Sequence, residues 1–393
     1  MPVYCDYNAG APIRAEAAVA MSRALAAGGN ASSVHSVGRR MRAMIEDARE
    51  RIAGALDASA ENVVFTSGAT EALHLSLDAF TNYANQVRAR APIDKYDLDS
   101  LDPLHPASLI VAECEHDALF EEGRVRSMLR APLLPSGLVG LSTLEGVIRA
   151  AEKPALVAVQ LANNETGVIQ PIAKIAALCR EHGALLLVDA AQAFGRIPVS
   201  IADLDATYLV VSSHKLGGPP GAGALVLAPG APLVTTRFGG GQERGRRPGT
   251  ENGASLVGFA VAVEWALSDL DGEAARVSAM RDRFEAALPK DAVVFGATAP
   301  RLPNTSNFAL AGITAETAVI AMDLEGVAVS SGAACSSGKV RSSRVLGAMG
   351  VAPELAKAAL RVSFGHESKD SDVDEALNAL TKIASRRTQG AAA

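Results

Sequence analysis

The sequence lacks several features that define special classes of protein. It begins Met1-Pro2-Val3-Tyr4, without the basic and apolar segments of a secretory signal, so we expect a cytoplasmic protein. No apolar run approaches the roughly 18 residues that a membrane-spanning helix needs. Lysine and arginine (37) are fewer than aspartate and glutamate (43), so the basic face of a nucleic-acid-binding protein is missing. We therefore expect neither a membrane nor a nucleic acid among its partners.

Cysteine is also scarce, and its few copies do not cluster. The chain has four, at Cys5, Cys114, Cys179 and Cys335. They form no CxxC pair and no group with the spacing of metal ligands, so we predict neither a disulfide framework nor a metal site. Unpaired thiols are typical of a reducing compartment, which again indicates the cytoplasm.

The composition that remains is that of a globular protein with strands and helices in alternation. The 393 residues are 49% hydrophobic and 20% charged. Apolar runs such as Leu109–Ala112 and Leu185–Val188 indicate buried strands, and helices are predicted near 16–27, 38–56 and 171–182. This alternation predicts an α/β fold with a mainly parallel sheet and helices on both faces. The polar segment 82–108 has no clear period and is predicted to be an exposed loop.

The pattern changes near residue 255, which predicts a second domain. A long helix is predicted at about 254–288, and short strands and helices alternate after it. A chain of this length can form one large core and a smaller one. We predict a large domain over 14–254 and a smaller α+β domain that combines 1–13 with 255–393.

The segment Val210–Gly221 contains the most distinctive candidate site residue. An apolar run ends in SSHK, residues 212–215, and a Gly/Pro-rich stretch follows, so Lys215 is predicted at the end of a buried strand. A desolvated lysine shifts its pKa readily and forms Schiff bases with carbonyl groups. The alternative is a surface lysine in a turn, and this segment alone leaves the two interpretations level.

A second candidate site lies between a strand and a helix at residues 62–72. The turn TSGATE, residues 66–71, directs free backbone N–H groups at the helix start toward one spot, which suits a phosphate. Thr70 would add a hydroxyl. The alternative is a simple N-cap by Ser67 or Thr70. The segment lacks the spacing of a Walker loop or a GxGxxG fingerprint, which disfavours nucleotide binding.

Further polar residues are predicted at the ends of strands. His116 is a candidate for stacking or proton transfer, Asn164 for holding a ligand, and Asp189 for pairing with a buried cation. The alternatives are a loop histidine, a turn cap and an internal salt bridge. Ligands of parallel sheets bind outside the carboxyl ends of the strands. The candidates expected at that edge are Thr70, His116, Asn164, Asp189, Gln192, Ser212, His214 and Lys215.

The second half of the chain adds three candidates. Cys335 has only small neighbours in SSGAACSSG, residues 330–338, which predicts an accessible nucleophilic thiol; an inert cysteine is the alternative. Arg361 lies within an alternating strand and suits a carboxylate, either of a substrate or of an internal Asp or Glu. The Gly-rich basic segment 237–250 is either a solvated loop or an arm that presents Thr250 and arginines to an anion.

Taken together, these motifs resemble those of the cysteine desulfurases of the NifS and IscS types, which are pyridoxal-phosphate (PLP) enzymes of aminotransferase class V. The resemblance covers nearly the whole chain, with its motifs in the same order. They are TSGATE at 66–71, EH at 115–116, NNETG at 163–167, VDAAQ at 188–192, SSHK at 212–215, GGGQERGRRPGT at 239–250, SSGAACSSG at 330–338 and RVSFG at 361–365. The resemblance implies the aspartate aminotransferase-like fold, fold type I.

The resemblance also implies how PLP would be held. Lys215 would bind it as a Schiff base, and His116 would stack on its ring and move protons. Asp189 would pair with the pyridine nitrogen and Gln192 with the ring hydroxyl. The phosphate would be held by five residues, of which the last would come from the other subunit of a homodimer: Ala69, Thr70, Ser212, His214 and Thr250.

The implied reaction is the desulfuration of L-cysteine. Asn164 and Arg361 would hold the substrate carboxylate. Cys335 would take the sulfur as a persulfide, release L-alanine, and pass the sulfur to an acceptor or scaffold protein for iron–sulfur cluster or other sulfur cofactor assembly. The alternatives are a selenocysteine lyase, an aminotransferase of the same class, and a non-catalytic scaffold. Cys335 disfavours transamination, which needs no thiol, and the intact Lys215, Asp189 and His116 disfavour a scaffold.

Overall fold

Strands and helices alternate along most of the chain. The computed structural model describes residues 2–89, 107–120, 127–233, 237–332 and 343–390. The strands are β1 (Val3–Tyr4), β2 (Val63–Thr66), β3 (Ser108–Ala112), β4 (Ser127–Ala131), β5 (Ala155–Gln160), β6 (Ala184–Asp189), β7 (Tyr208–Ser212), β8 (Gly223–Leu227), β9 (Ala292–Val294), β10 (Thr305–Leu310), β11 (Val327–Ala328), β12 (Ser330–Ser331) and β13 (Ala359–Ser363). The helices are α1 (Ala15–Ala27), α2 (Ser36–Gly54), α3 (Ala69–Ala89), α4 (Leu141–Ala150), α5 (Ile172–Glu181), α6 (Gly253–Leu267), α7 (Leu270–Ala286), α8 (Ala315–Leu324), α9 (Arg344–Ala348), α10 (Pro353–Lys357) and α11 (Asp370–Gly390).

A seven-stranded sheet forms the centre of the proposed large domain. Its order is β2-β8-β7-β6-β5-β3-β4, and its neighbouring strands are parallel except where β8 pairs with β7 and β2. Successive strand residues point to opposite faces. Phe65 and Val157 pack with α1, α2, α5 and α6 on one face, whereas Val64 and Leu156 pack with α3 on the other. The predicted mainly parallel sheet with helices on both faces is confirmed.

A smaller antiparallel sheet lies at the centre of the proposed small domain. Its order is β12-β13-β10-β9, and β1 pairs in parallel with β11 beside it. Phe284 lies at the centre of this core, with its ring 5.5 Å from that of Phe308 and 6.2 Å from that of Phe364. Val3 and Cys5 are part of the same core. This packing supports the proposal that residues 1–13 return to the small domain.

The prediction of one long helix over 254–288 is wrong, because the chain bends within this segment. The segment forms α6 and α7, whose axes differ by 74°. The buried residues of α6 belong to the core of the large domain, and those of α7 belong to the core of the small domain. We therefore propose that the large domain extends to the end of α6, beyond the boundary predicted at residue 254. Among the described residues no single helix is long and apolar enough to span a membrane, and only the bent pair α6 and α7 reaches that length and apolarity together.

The prediction of a loop over 82–108 is also partly wrong. Helix α3 continues through Ala89, because Ala84 is buried and Tyr83 packs beside it against the same core. Strand β3 begins at Ser108. Residues 90–106 of the predicted loop lie outside the described residues.

A buried ion pair fixes the basic segment 237–250 to the sheet. Glu243 accepts hydrogen bonds from Arg49 Nη1 at 2.7 Å, from Arg49 Nη2 at 2.8 Å and from the Phe65 backbone N at 2.8 Å. Glu243 and Arg244 have left-handed backbone conformations, with φ of 48° and 58°. Such conformations cost about 1–3 kcal/mol each in residues other than glycine. The ion pair is therefore the contact that holds this loop in an unfavourable backbone conformation.

We expect Glu243→Gln to lower the free energy of unfolding by about 3 kcal/mol, because it removes the buried anion of Arg49 and leaves only the half-exposed Glu46 carboxylate, 3.2 Å from Arg49 Nε. Urea titration of the purified variant measures this loss. The matched control is Asp374→Asn, which removes the exposed pair that Asp374 forms with Arg283 at 3.0 Å. That change should cost about 1 kcal/mol or less. Equal losses in the two variants would contradict the role of the buried pair.

Candidate active site

A cavity of about 400 Å³ opens at the carboxyl ends of the parallel strands. This volume lies in the range of roughly 300–1,000 Å³ that is typical of small-molecule sites. Because parallel strands end at the same edge, residues from distant motifs meet there. The cavity brings together eight of the residues predicted from the sequence: Ala69, Thr70, His116, Asn164, Asp189, Gln192, His214 and Lys215.

Three predicted residues lie outside the cavity lining, and a fourth is not among the described residues. Ser212 is buried at the end of β7, with its Oγ 3.0 Å from His214 Nδ1. Arg361 donates to the Asn164 carbonyl oxygen but does not line the cavity. Thr250 is exposed and also lies outside the cavity lining. Cys335 lies outside the described residues.

The lysine is held at its tip by the N-terminal segment. Lys215 ends a short 3₁₀ turn after β7, and its Nζ donates to the carbonyl oxygens of Asn8 at 2.7 Å and Ala9 at 3.0 Å. The sequence analysis did not single out Asn8. The position of Asn8 depends on the pairing of β1 with β11, which lies more than 300 residues later. No local sequence pattern predicts such a pairing.

His116 has a defined ring orientation. Its Nδ1 accepts a hydrogen bond from the Ala118 backbone N at 3.1 Å, and this bond caps a 3₁₀ turn. The proton of the neutral ring therefore lies on Nε2. The adjacent Glu115 is buried and accepts from the Gln160 backbone N, and burial raises the pKa of Glu115 well above its ordinary value. This contact ties the turn that carries His116 to the end of β5.

Asp189 is a buried carboxylate on the cavity wall. It ends β6, and its Oδ1 accepts from the Ala191 backbone N at 2.8 Å. Burial raises the pKa of Asp189, while the hydrogen bond from Ala191 and the charges of His116 and Lys215 act in the opposite direction. A buried carboxylate is costly without a cationic partner, so this position is suited to a protonated ring nitrogen.

The turn at the start of α3 is closed tightly against the sheet. A Cβ on Gly223 would lie 2.7 Å from the Gly68 Cα, so only glycine allows this approach of β8 to the turn. Glu71 accepts from the Ser67 backbone N at 2.7 Å, from Arg237 Nη1 at 2.7 Å and from Arg247 Nε at 3.0 Å. Burial alone would raise the pKa of Glu71, but the hydrogen bonds from Arg247 and Ser67 hold it at about 2. The two arginines thus surround a helix N-terminus that suits an anion.

His214 contributes a neutral ring to the same cavity. Burial, together with the charges of Lys215 and Arg196, lowers the pKa of His214 to about 4. At neutral pH the imidazole therefore acts as a hydrogen-bonding group without charge. Ser212 Oγ lies against its Nδ1, which leaves Nε2 as the second polar atom of the ring.

Arg361 has protein partners on both sides of the domain junction. Its Nη1 donates to the Asn164 carbonyl oxygen at 2.9 Å, and its Nη2 donates to Asp6 Oδ1 at 2.6 Å. The side chain is buried, and its Nε makes no hydrogen bond within the described part of the chain. The sequence left a substrate and an internal carboxylate open as partners, and Asp6 is an internal one. Of the five N–H groups of the guanidinium, that of Nε is one that remains for a further acceptor.

Comparison with known proteins agrees with this arrangement. Residues 3–376 match the model of the family Aminotransferase class-V. The chain belongs to this family. It is 34% identical over 388 residues to a Dictyoglomus turgidum protein named cysteine desulfurase IscS, covering 97% of this chain and 94% of that protein. It is 35% identical over 400 residues to a Mycobacterium tuberculosis protein named IscS-like cysteine desulfurase, covering 99% and 98%.

A solved structure of a relative has the same architecture. The X-ray structure of the NifS-like protein from Rickettsia africae matches this chain with a TM-score of 0.86 at 27% identity, covering 98% of this chain and 100% of that one. The predicted resemblance and the fold type I architecture are therefore confirmed.

The cavity has the groups that the cofactor of a class-V aminotransferase requires. PLP carries an aldehyde, a pyridine nitrogen, a ring hydroxyl and a phosphate. The cavity offers the Lys215 amine, the buried Asp189 carboxylate, the Gln192 amide and the helix N-terminus at Ala69 and Thr70. These groups match the four parts of PLP in chemistry, and the protein is a PLP-dependent enzyme of class V.

Glu165 is a titratable group beside this site that the sequence did not single out. The Ser343 hydroxyl donates to Glu165 Oε2, and Asn307 Nδ2 donates to the Glu165 carbonyl oxygen at 3.0 Å. Burial raises the pKa of Glu165 from 4.5 to about 7. The folded state therefore holds one more proton than the unfolded state between these pH values, and stability falls as the pH rises through this window.

We expect Glu165→Gln to stabilise the protein at pH 8 by about 2–3 kcal/mol relative to the wild type, because the variant has no buried charge to ionise. At pH 5 the two proteins should be nearly equal in stability. Urea unfolding at the two pH values measures the difference. The exposed residue Glu181 supplies the control, since Glu181→Gln should have the same small effect at both. A Glu165→Gln effect that does not change with pH would refute this assignment.

Proposed function

We propose that this class-V enzyme is a cysteine desulfurase. It converts L-cysteine to L-alanine and keeps the sulfur as a persulfide on Cys335. The proposal rests on the cavity in which Lys215, Asp189 and His116 meet, and on the relatives that are named cysteine desulfurases. These names favour desulfuration over selenocysteine lysis or transamination.

The residues around the cavity have distinct tasks. Bound PLP supplies an electron-withdrawing ring that makes the Cα–H bond of the substrate acidic. Lys215 Nζ holds the cofactor and then takes the Cα proton. The Asp189 carboxylate would keep a proton on the ring nitrogen, and His116, whose neutral ring carries its proton on Nε2, would stack on the ring. Asn164 and the Nε–H of Arg361 orient the substrate carboxylate.

Cys335 accepts the sulfur of the substrate. Its thiolate attacks the sulfur of L-cysteine, so an S–S bond forms and the Cβ–S bond breaks. The electron pair of the broken bond stays with the carbon side, which takes up protons to become L-alanine. The persulfide then passes its outer sulfur to an acceptor protein, and we place this protein in iron–sulfur cluster or other sulfur cofactor assembly in the cytoplasm.

A homodimer completes the phosphate site in this proposal. Thr250 is exposed and lies outside the cavity of its own subunit. It follows Arg247, which contacts Glu71 at the start of α3 through its Nε at 3.0 Å. The basic segment therefore runs along the rim of the phosphate end, where Thr250 can serve the site of a second copy.

L-Alanine formation from L-cysteine, with a reductant present, tests the reaction. We expect product from the wild type and none from Lys215→Ala or Cys335→Ala, because one loses the base and the other the sulfur acceptor. Cys179→Ala is the matched control, since Cys179 is buried and burial raises the pKa of its thiol to about 12. It should keep wild-type activity. Alanine production by Cys335→Ala at the wild-type rate would contradict the persulfide step.

Mixed dimers test the role of Thr250. Lys215→Ala lacks the base, and Thr250→Ala weakens phosphate binding in the partner site. If Thr250 acts across the interface, dimers of one subunit of each kind contain one intact site. We expect activity after unfolding and refolding the two variants together that exceeds the sum of the separate samples. No gain on mixing would refute the shared site.

A further inference from the structure

Gln192 is held in one orientation by two contacts. Its Nε2 donates to the Asn8 carbonyl oxygen at 2.9 Å, and its Oε1 accepts from Arg196 Nη1 at 2.5 Å. Turning the amide over would place its NH₂ against the guanidinium and its oxygen against the Asn8 carbonyl oxygen. Both contacts would then be repulsive, so the network determines which atom is which.

Arg196 is a partly buried cation with carbonyl partners. Besides Gln192 Oε1, it donates to the Gln192 carbonyl oxygen at 3.0 Å, and its Nη2 donates to the carbonyl oxygens of Tyr7 and Lys215, both at 3.1 Å. Burial, together with the charge of Arg361, lowers the pKa of Arg196 to about 9, so it remains charged at neutral pH. The positive charge of Arg196 therefore polarises the side-chain amide of Gln192, which it contacts.

The fixed orientation has a chemical consequence for the cavity. With Oε1 occupied by Arg196 and one N–H occupied by Asn8, the amide of Gln192 retains one N–H to donate. Gln192 also lines the cavity. An N–H donor stabilises an ionised oxygen, whereas an amide oxygen in the same place would stabilise a protonated one.

We propose that Arg196 is a positioning residue that acts through Gln192. It keeps the Gln192 amide turned so that an N–H faces the oxygen of the PLP ring hydroxyl. This hydrogen bond holds the hydroxyl oxygen in its ionised form. This inference rests on the proposed function insofar as Gln192 meets the ring hydroxyl there. The other titratable groups that line the cavity are Glu71, His116, Asp189, His214 and Lys215, and none of them is changed in the variants below.

The test measures the absorption of the purified holoenzyme at one pH. The ratio of the visible band of the ionised ring oxygen to the near-ultraviolet band of the protonated one reports the ionised fraction. In Arg196→Met we expect this ratio to fall about tenfold, the size of one lost hydrogen bond to a charged group. Arg196→Lys can still donate to Gln192 Oε1, so it should restore most of the ratio.

Gln192→Glu is the second variant, and it keeps the partner of Arg196. Its carboxylate still accepts a hydrogen bond from Arg196 but has no N–H to donate. The ratio of the visible to the near-ultraviolet band should therefore fall, although Arg196 keeps its hydrogen-bond acceptor. Arg180→Met, on the exposed end of α5, should leave the spectrum unchanged. A wild-type ratio in either Arg196→Met or Gln192→Glu would overturn the proposal. A wild-type protein without either band would overturn the proposed function itself.

Discussion

The buried guanidinium of Arg361 joins the three parts of the chain that form the site. It extends from β13 in the small domain to Asp6 in the N-terminal segment and to the carbonyl oxygen of Asn164 in the large domain. A buried charge must keep its partners, because losing one leaves the full cost of desolvation. The three segments are therefore held in one arrangement by a single side chain.

Neighbouring polar contacts reinforce the same junction. Asn8 Nδ2 donates to Thr305 Oγ1 at 2.9 Å and to the Asn164 carbonyl oxygen at 3.2 Å, and Asn307 donates to Glu165. Networks of this kind favour one geometry over others because each member fixes the next. The carbonyl oxygens of Asn8 and Ala9 consequently reach Lys215, so the position of the lysine tip is set by the packing between the domains.

The sequence predicted the sheet and most of the cavity, because parallel strands end at one edge and their polar end residues must meet there. The placement of Asp189 and Lys215 at that edge followed from this rule, whereas their roles came from the family resemblance. Arg196 was missed because the direction of its side chain depends on contacts with Tyr7, almost 190 residues earlier. The bend between α6 and α7 was missed for a related reason. Both halves have helical character, and only the two separate cores that they join require the change of direction.

The pairing of the first strand with one near the end of the chain also governs when the site can form. The carbonyl groups beneath Lys215 are synthesised more than 300 residues before β11 and the Arg361 of β13. During synthesis β1 and Asp6 therefore wait for these partners, although the partners of Asn8 and Ala9 at Lys215 are made earlier. The central sheet can form before the N-terminal segment is fixed by both domains, so the site reaches its final geometry only after β13 has been made.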